Sequence, residues 1–276
     1  MHTLQDHTYR DLAALMHAAI GLSLGENKRP LVASRLAPRI QKLGLGGFED
    51  YLCLIQDRGD GGEFQMAIDL LTTNETYFFR EPAHFDLLER HLNASRSESL
   101  AVWSAASSFG DEAYSTAMLL SDLQLQGRIG DDWYVLATDI SDRVLRSAID
   151  AVYPKDRLRQ VSEQRLKRYC LRGAGESEGF IQMHARLRER IRFGQLNLCR
   201  QIDDVGPFDI VFLRNVLIYF DAETKMAVVD RVLTQLRPGG LFFVGTAEGR
   251  IPCSTPLKPI APGAFVKLHS PGSGRP

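Results

Sequence analysis

The chain of 276 residues is 44% hydrophobic and 24% charged with a formal net charge of −1, which fits a globular protein of one large and one smaller domain. A near-neutral total excludes a general nucleic-acid binder and confines any basic function to a local patch. The four cysteines (Cys53, Cys170, Cys199, Cys253) stand far apart without paired Cys/His spacing, no apolar run approaches membrane-spanning length, and Met1–Asp6 lacks signal-peptide character. Together these features predict reduced thiols, no bound metal and a cytoplasmic location.

Helical spacing of Leu12, Leu15, Met16, Ala19 and Ile20 predicts a first amphipathic helix over Tyr9–Leu22. A second, Lys28–Leu43, sets Lys28, Arg35, Arg39 and Lys42 on one narrow face with no acid between them, beside an apolar stripe of Leu31, Val32, Leu36, Ile40 and Leu43. Pro38 lies inside that segment and predicts a kink or break, because proline removes a backbone donor. The basic face fits either a solvated surface or an anionic partner. Phe48–Ile55 reads as a short helix and Asp57–Gly62 as a glycine-rich loop, so residues 1–71 are expected to form a small helical domain.

Residues 72–99 join it to the rest. Thr72-Thr73-Asn74-Glu75-Thr76-Tyr77-Phe78-Phe79-Arg80-Glu81-Pro82 runs hydroxyls and an amide into three aromatics. The aromatics suit a core, while Asn74, Thr76 and Arg80 present polar groups; Pro82 suits the first position of a helix over Pro82–Leu92.

From Leu100 the pattern changes to short apolar runs separated by helices, which predicts a parallel sheet covered on both faces over residues 100–276. Strands are expected at Leu100–Ala106, Trp133–Ile140, Phe208–Val216, Leu241–Gly245 and Ala264–Leu268, with helices at Gly110–Leu123, after Ser141 and at Asp221–Leu236. Arg237-Pro238-Gly239-Gly240 reads as a turn and Pro271–Pro276 as disordered. Phe180–Ala185 and Ile191–Gly194 break the alternation and are expected to pair antiparallel in an insertion at about 170–195, either a stabilising flap or a recognition element.

Open parallel sheets bind ligands at the carboxyl ends of their strands. After the first strand, Ser104–Glu112 offers small residues, then Gly110, Asp111 and Glu112, and no GxGxxG fingerprint; two carboxylates there repel a pyrophosphate and suit a cation. Asp139 ends the next strand and suits a ribose diol. A nucleoside with a positive group and no phosphate is S-adenosylmethionine, although Asp111 and Glu112 also fit plain helix capping. Arg214 and Asn215 close the strand that precedes them and demand a partner. His84 and His91 share a helix face with no accompanying acid or cysteine cluster and read as surface histidines.

Asn74–Arg80, Gly110–Ser115, Ala137–Ile140 and Arg214–Phe220 resemble, in order and spacing, the motifs of the chemotaxis receptor methyltransferases, the CheR family. The resemblance covers nearly the whole chain. It implies a Rossmann-like S-adenosylmethionine-dependent α/β methyltransferase sheet with an N-terminal all-helical domain and an inserted antiparallel β-subdomain. The activity it implies is transfer of a methyl group to glutamate γ-carboxylates on chemoreceptor cytoplasmic helices. It implies cofactor contacts for Asn74, Thr76, Arg80, Glu112, Asp139, Asn197, Leu198, Arg214 and Asn215, and places Arg80 and Tyr219 beside the transferred methyl. Lys28, Arg35, Arg39 and Lys42 become candidates for receptor contact, and the insertion for docking a receptor C-terminal pentapeptide. Phe109, Ala113, Thr246 and Pro38 depart from the family pattern, Phe109 being expected to narrow the cofactor loop. Two alternatives stand: a methyltransferase of this fold acting on another nucleophile, and a cofactor-binding regulator without turnover.

Overall fold

The computed structural model describes residues 3–57, 62–203, 205–249 and 251–269. Residues 58–61 of the glycine-rich loop expected at Asp57–Gly62, and the tail Pro271–Pro276, lie outside the described residues.

Four helices come first: α1 (Asp6–Ile20), α2 (Arg29–Lys42), α3 (Phe48–Gln56) and α4 (Glu63–Leu71). Leu12, Met16, Leu36, Ile40, Tyr51 and Ile68 pack into their common core. The segment holding Pro38 stays one helix, with Pro38 itself on the exposed side. Ahead of the sheet stands α5 (Pro82–Ser95), which begins at Pro82 as its preset φ favours.

The main sheet has seven strands: β1 (Ser99–Ala105), β2 (Asp132–Asp139), β6 (Ile191–Gln195), β7 (Phe208–Leu213), β8 (Leu236–Val244), β9 (Leu257–Ala261) and β10 (Ala264–Lys267). Their spatial order is β6-β2-β1-β7-β8-β10-β9. The first five run parallel; at one edge β10 pairs antiparallel with β8, and β9 pairs antiparallel with β10. One face is covered by α5 and α6 (Asp111–Leu125), through Leu88, Leu92, Leu120 and Leu123; the other by α10 (Ala222–Thr234), through Val228, Val229 and Val232. Asp221 caps α10 by accepting the Thr224 N–H at 2.8 Å, and Ser141 caps α7 (Asp142–Asp150) by accepting from Val144.

A separate three-stranded antiparallel sheet is built from β3 (Val152–Pro154), β5 (Phe180–Met183) and β4 (Cys170–Arg172), in the order β3-β5-β4, with α8 (Glu163–Tyr169) between β3 and β4. The expectation that Ile191–Gly194 belongs to this insertion is corrected: β6 pairs in parallel with β2, from Ile191 opposite Val135 to Gln195 opposite Asp139. The short helix α9 (Ala185–Arg188) carries the chain from the small sheet back to the large one. The turn expected at 237–240 lies inside β8, where the register with β7 shifts and Gly239 takes φ 83°.

The strand order reverses between β1 and β7, with β2 and β6 built outward on one side and β8 on the other. That switch point opens a crevice at the strands' carboxyl ends.

Candidate functional site

A cavity enclosing about 1040 Å³ of empty space, open mouth included, lies in that crevice. Its lining brings together Asn74, Thr76, Arg80, Glu112, Asp139, Asn197, Leu198, Arg214, Asn215 and Tyr219, which the chain scatters over 146 positions, from 74 to 219. Ile20 and Leu22, at the end of α1, close it from the helical domain.

Local folding fixes each group. Asp139, 6% exposed, accepts the Ser108 N–H at 2.8 Å on one carboxylate oxygen and the Ser141 N–H at 2.9 Å on the other. Each oxygen keeps a further acceptor position. Burial raises its pKa and the backbone donors oppose the rise. The loop between β1 and α6 is held by the same anchor, with Ala106, Ser108 and Gly110 all at positive φ. Only Gly110 adopts that conformation freely; a Cβ there would stand 3.0 Å from the Ala148 Cβ and 3.2 Å from the Tyr153 hydroxyl.

Glu112 accepts the Ser104 hydroxyl at 2.6 Å and Arg214 Nη1 at 3.1 Å. Burial raises its pKa, chiefly against the Arg214 charge that lowers it. The Arg214 side chain is 2% exposed; it also lies 3.6 Å from Glu81 and donates to the carbonyl of Arg80. Two carboxylates against one guanidinium leave a negative charge in this buried cluster, which suits a cation. Two buried polar atoms of cavity residues, Ser107 Oγ and Arg214 Nε, have no hydrogen-bond partner among the described residues. A ligand with acceptors and a positive group fits such a lining, as S-adenosylmethionine does.

Arg80 sits between two left-handed residues, Phe79 (φ 55°) and Glu81 (φ 56°). The Phe79 N–H donates to Ser115 Oγ at 2.9 Å, and Arg80 Nη1 donates to the Glu75 carbonyl at 2.9 Å with its guanidinium 5.7 Å from the Tyr77 ring. No carboxylate pairs with Arg80 among the described ion pairs. Tyr219 is half-buried, with Thr73, Arg80 and Glu75 near its hydroxyl, and burial raises its pKa. Its carbonyl accepts the Ser23 N–H at 2.9 Å. Asn197 Nδ2 reaches the Ala19 carbonyl at 2.8 Å, so the helical domain also fixes this end of the cavity.

Several expectations are corrected. Asp111 is fully buried and bound in a two-pronged ion pair by Arg157 (2.7 and 2.9 Å), so it faces a structural partner and not the cavity. Phe109 does not line the cofactor cavity; its ring lies under Arg157 (4.6 Å) and Arg143 (5.6 Å). His84 is 2% exposed and bonded to the Pro262 carbonyl at 2.9 Å, which leaves only His91 on the surface. The basic face of α2 is divided. Arg35 donates to the carbonyls of Leu71 and Thr72 (2.8 and 3.1 Å) and to Thr73 Oγ1 (3.0 Å), and Arg39 pairs with the 7% exposed carboxylate of Glu63; Lys28 and Lys42 alone are fully exposed.

Glu248 has a role that the motifs did not reveal. Its buried carboxylate accepts the N–H groups of Leu217 (2.7 Å) and Gly245 (2.6 Å) and lies near those of Asn215 and Ile218, which holds the turn bearing Asn215 and Tyr219. No spacing signal marks such a residue, because its partners are backbone groups. Among the described residues no group of three or more metal-ligating side chains gathers.

Residues 7–72 match the CheR methyltransferase all-alpha domain, and residues 74–256 match the CheR methyltransferase SAM binding domain. The chain belongs to the CheR methyltransferase family. It is 41% identical to the chemotaxis protein methyltransferase of Escherichia coli (strain K12), over 89% of this chain and 85% of that protein. The Salmonella typhimurium protein of the same name is 39% identical over 89% of this chain and 84% of its own. Chemotaxis protein methyltransferase 2 of Pseudomonas aeruginosa is also 39% identical, over 89% and 88%. As a CheR methyltransferase the chain has an S-adenosylmethionine-binding domain, and most of the lining of the switch-point cavity lies within the matched segment, with Ile20, Leu22, Thr72 and Thr73 outside it.

Proposed function

We propose that this CheR methyltransferase transfers the methyl group of S-adenosylmethionine to glutamate γ-carboxylates on the cytoplasmic helices of chemoreceptors. The observation that carries the reading is the convergence of Asn74, Thr76, Arg80, Glu112, Asp139, Asn197, Leu198, Arg214, Asn215 and Tyr219 on one cavity. The names of its relatives, chemotaxis protein methyltransferases, support a chemoreceptor as substrate.

When bound, S-adenosylmethionine supplies an electrophilic methyl on a sulfonium. Asp139 holds the ribose diol with the acceptor positions its backbone donors leave free. Glu112, whose burial-raised pKa Arg214 opposes, would attract the methionine ammonium, and Asn197 and Leu198 would flank the adenine. The acceptor glutamate is already ionised at neutral pH and needs no general base; it needs placement and partial desolvation. Arg80, unpaired with any described carboxylate, orients it, and Tyr219 donates a hydrogen bond, its raised pKa keeping the phenol protonated.

The exposed Lys28, just before α2, and Lys42, at its last position, are the cationic contacts that an acidic receptor helix meets first. The edge strands of the small sheet, with Val152 on β3 and Leu171 on β4 exposed, suit addition of a peptide strand from the receptor C-terminus. On this reading the protein works in the cytoplasm, where those receptor helices lie.

The test incubates the purified protein with methyl-labelled S-adenosylmethionine and receptor-containing membranes and counts volatile label released by alkali. Alkali-released methanol is the expected result, falling at least tenfold in Arg80→Ala, roughly the size of a lost positioning contact, with S-adenosylhomocysteine affinity little changed. Label that survives alkali would instead mark an amine acceptor, and no transfer to any receptor a regulator without turnover.

A further inference from the structure

A second groove of about 890 Å³ lies against the first cavity, and the linker is the wall between them. Residues 74–77 and Arg80 line both. The opposite wall is Phe109, Pro154, Asp156 and Arg157, contributed by the β1–α6 loop and by the insertion. Arg80 is therefore reachable from the cofactor on one side and from this groove on the other.

Two guanidinium–aromatic pairs face each other across it. On the linker wall Arg80 lies over Tyr77, which is 41% exposed; on the far wall Arg157 lies 4.6 Å from the Phe109 ring and 5.7 Å from the Tyr153 ring. Arg157 is immobilised, because Nε and Nη2 are spent on the fully buried Asp111. Its Nη1 takes no partner among the described residues, and the side chain keeps 24% exposure. A guanidinium fixed by its own stacking and ion pair presents its spare donors without losing further rotamer freedom, which is the arrangement that reads a planar oxygen acceptor.

We propose that Phe109 and Arg157 form a specificity subsite for a carboxylate or carboxamide side chain that neighbours the acceptor glutamate on the receptor. The inference rests on the carboxyl-methylation reading above and deepens it. The acceptor carboxylate goes to Arg80, and the flanking group goes to Arg157 Nη1, with Phe109 fixing the plane of the guanidinium. Asp156, 66% exposed and 3.9 Å from Arg159, stands on the rim and favours a carboxamide, which also donates, over a second carboxylate.

The test uses the full-length protein and helical receptor peptides that share one acceptor glutamate and carry Gln, Glu or Ala at the flanking positions, with alkali-released methanol as readout. Wild-type protein is expected to favour a Gln or Glu flank over Ala by roughly tenfold in kcat/KM, the size of one charge-assisted hydrogen bond, mostly through KM. Arg157→Lys keeps a charge on Asp111 and loses the planar fork; it and Phe109→Ser are expected to flatten that preference while S-adenosylhomocysteine affinity holds. A Gln flank preferred over Glu supports the role of Asp156. Ester formation with no flank preference in wild type, or with the same preference in both variants, overturns the subsite and leaves the carboxyl-methylation reading standing. Absence of alkali-labile ester with every peptide overturns that reading, and the subsite with it.

Discussion

Arg80 and its neighbours show how single residues carry strain for the site. Phe79, Glu81, Ala106, Ser108 and Asn215 all adopt positive φ without being glycine, and all border the cavity or its linker. Each such conformation costs on the order of 1–3 kcal/mol and persists only where neighbours over-determine it. The neighbours are identifiable: Ser115 for Phe79, Thr246 N–H and Arg214 for Glu81, Asp139 for Ser108, and Glu248 for Asn215. Gly245 belongs to the same set for a different reason. Its φ of −62° is ordinary, yet a Cβ there would fall 2.5 Å from Asn215 Nδ2 and 3.0 Å from Glu248 Oε2. Gly245→Ala is accordingly expected to push the Asn215 side chain aside and weaken S-adenosylhomocysteine binding at least several-fold, with the unfolding temperature nearly unchanged. Isothermal titration checks it, and wild-type affinity in the variant would show that Asn215 does not bind the cofactor.

Among the elements, α2 is the one whose sequence pattern and structural role diverge. A face of four cations without interleaved acids reads as a surface, yet Arg35 and Arg39 turn inward to acceptors 24 to 38 residues away. Arg35 fixes the linker from Leu71 to Thr73, and Thr73 in turn lies near the Tyr219 hydroxyl. Two kinds of variant then separate. Arg35→Ala is expected to slacken the linker, lowering kcat by roughly tenfold through a displaced Tyr219 and speeding proteolysis within residues 72–81. Lys28→Glu with Lys42→Glu should raise the receptor KM and leave kcat and linker protection as they were. Steady-state methylation and limited proteolysis distinguish them; equal behaviour of the two variants would return Arg35 to the surface face.

At the scale of the whole molecule, the cavity is shared between the helical part and the sheet. Ile20 and Leu22 line it, Asn197 bonds to the Ala19 carbonyl, and the Tyr219 carbonyl accepts from Ser23. A ligand there bridges both, so S-adenosylhomocysteine at 100 times its Kd should raise one common unfolding transition by about 2.7 kcal/mol. Two transitions of which only one shifts would show that the domains unfold independently. The ligand effect is also expected to depend on pH. Burial raises the Glu112 pKa, so on acidification this carboxyl protonates before an ordinary glutamate does, and its attraction for the methionine ammonium fades from that higher pH downward. Thermal shifts measured with and without ligand across the acid range check the sign: the ligand-induced rise must shrink as pH falls.

How much of this was legible in the chain follows from the range of the interactions. Local rules act over a few residues, and they located the parallel strands β1, β2 and β7 within a few positions, the caps at Ser141 and Asp221, the Gly110 turn, and the polar residues at strand ends that face the cavity. They did not reveal β3 or β9, whose three- and five-residue runs carry too little periodicity to stand out. Nor did they show that Ile191–Gln195 pairs in parallel with β2, since a short apolar run is the same pattern in either sheet. The partner of each buried charge was equally hidden: Asp111 with Arg157, Arg39 with Glu63, and Glu248 with backbone groups. By itself, then, the sequence determined the fold class, the order of the domains and the residue types that line the cavity, because hydrophobic period and motif spacing are written along the chain. Only the tertiary structure decided which charges are spent inside the protein and which remain for a ligand, because that depends on what folding brings within 3 Å across more than a hundred residues.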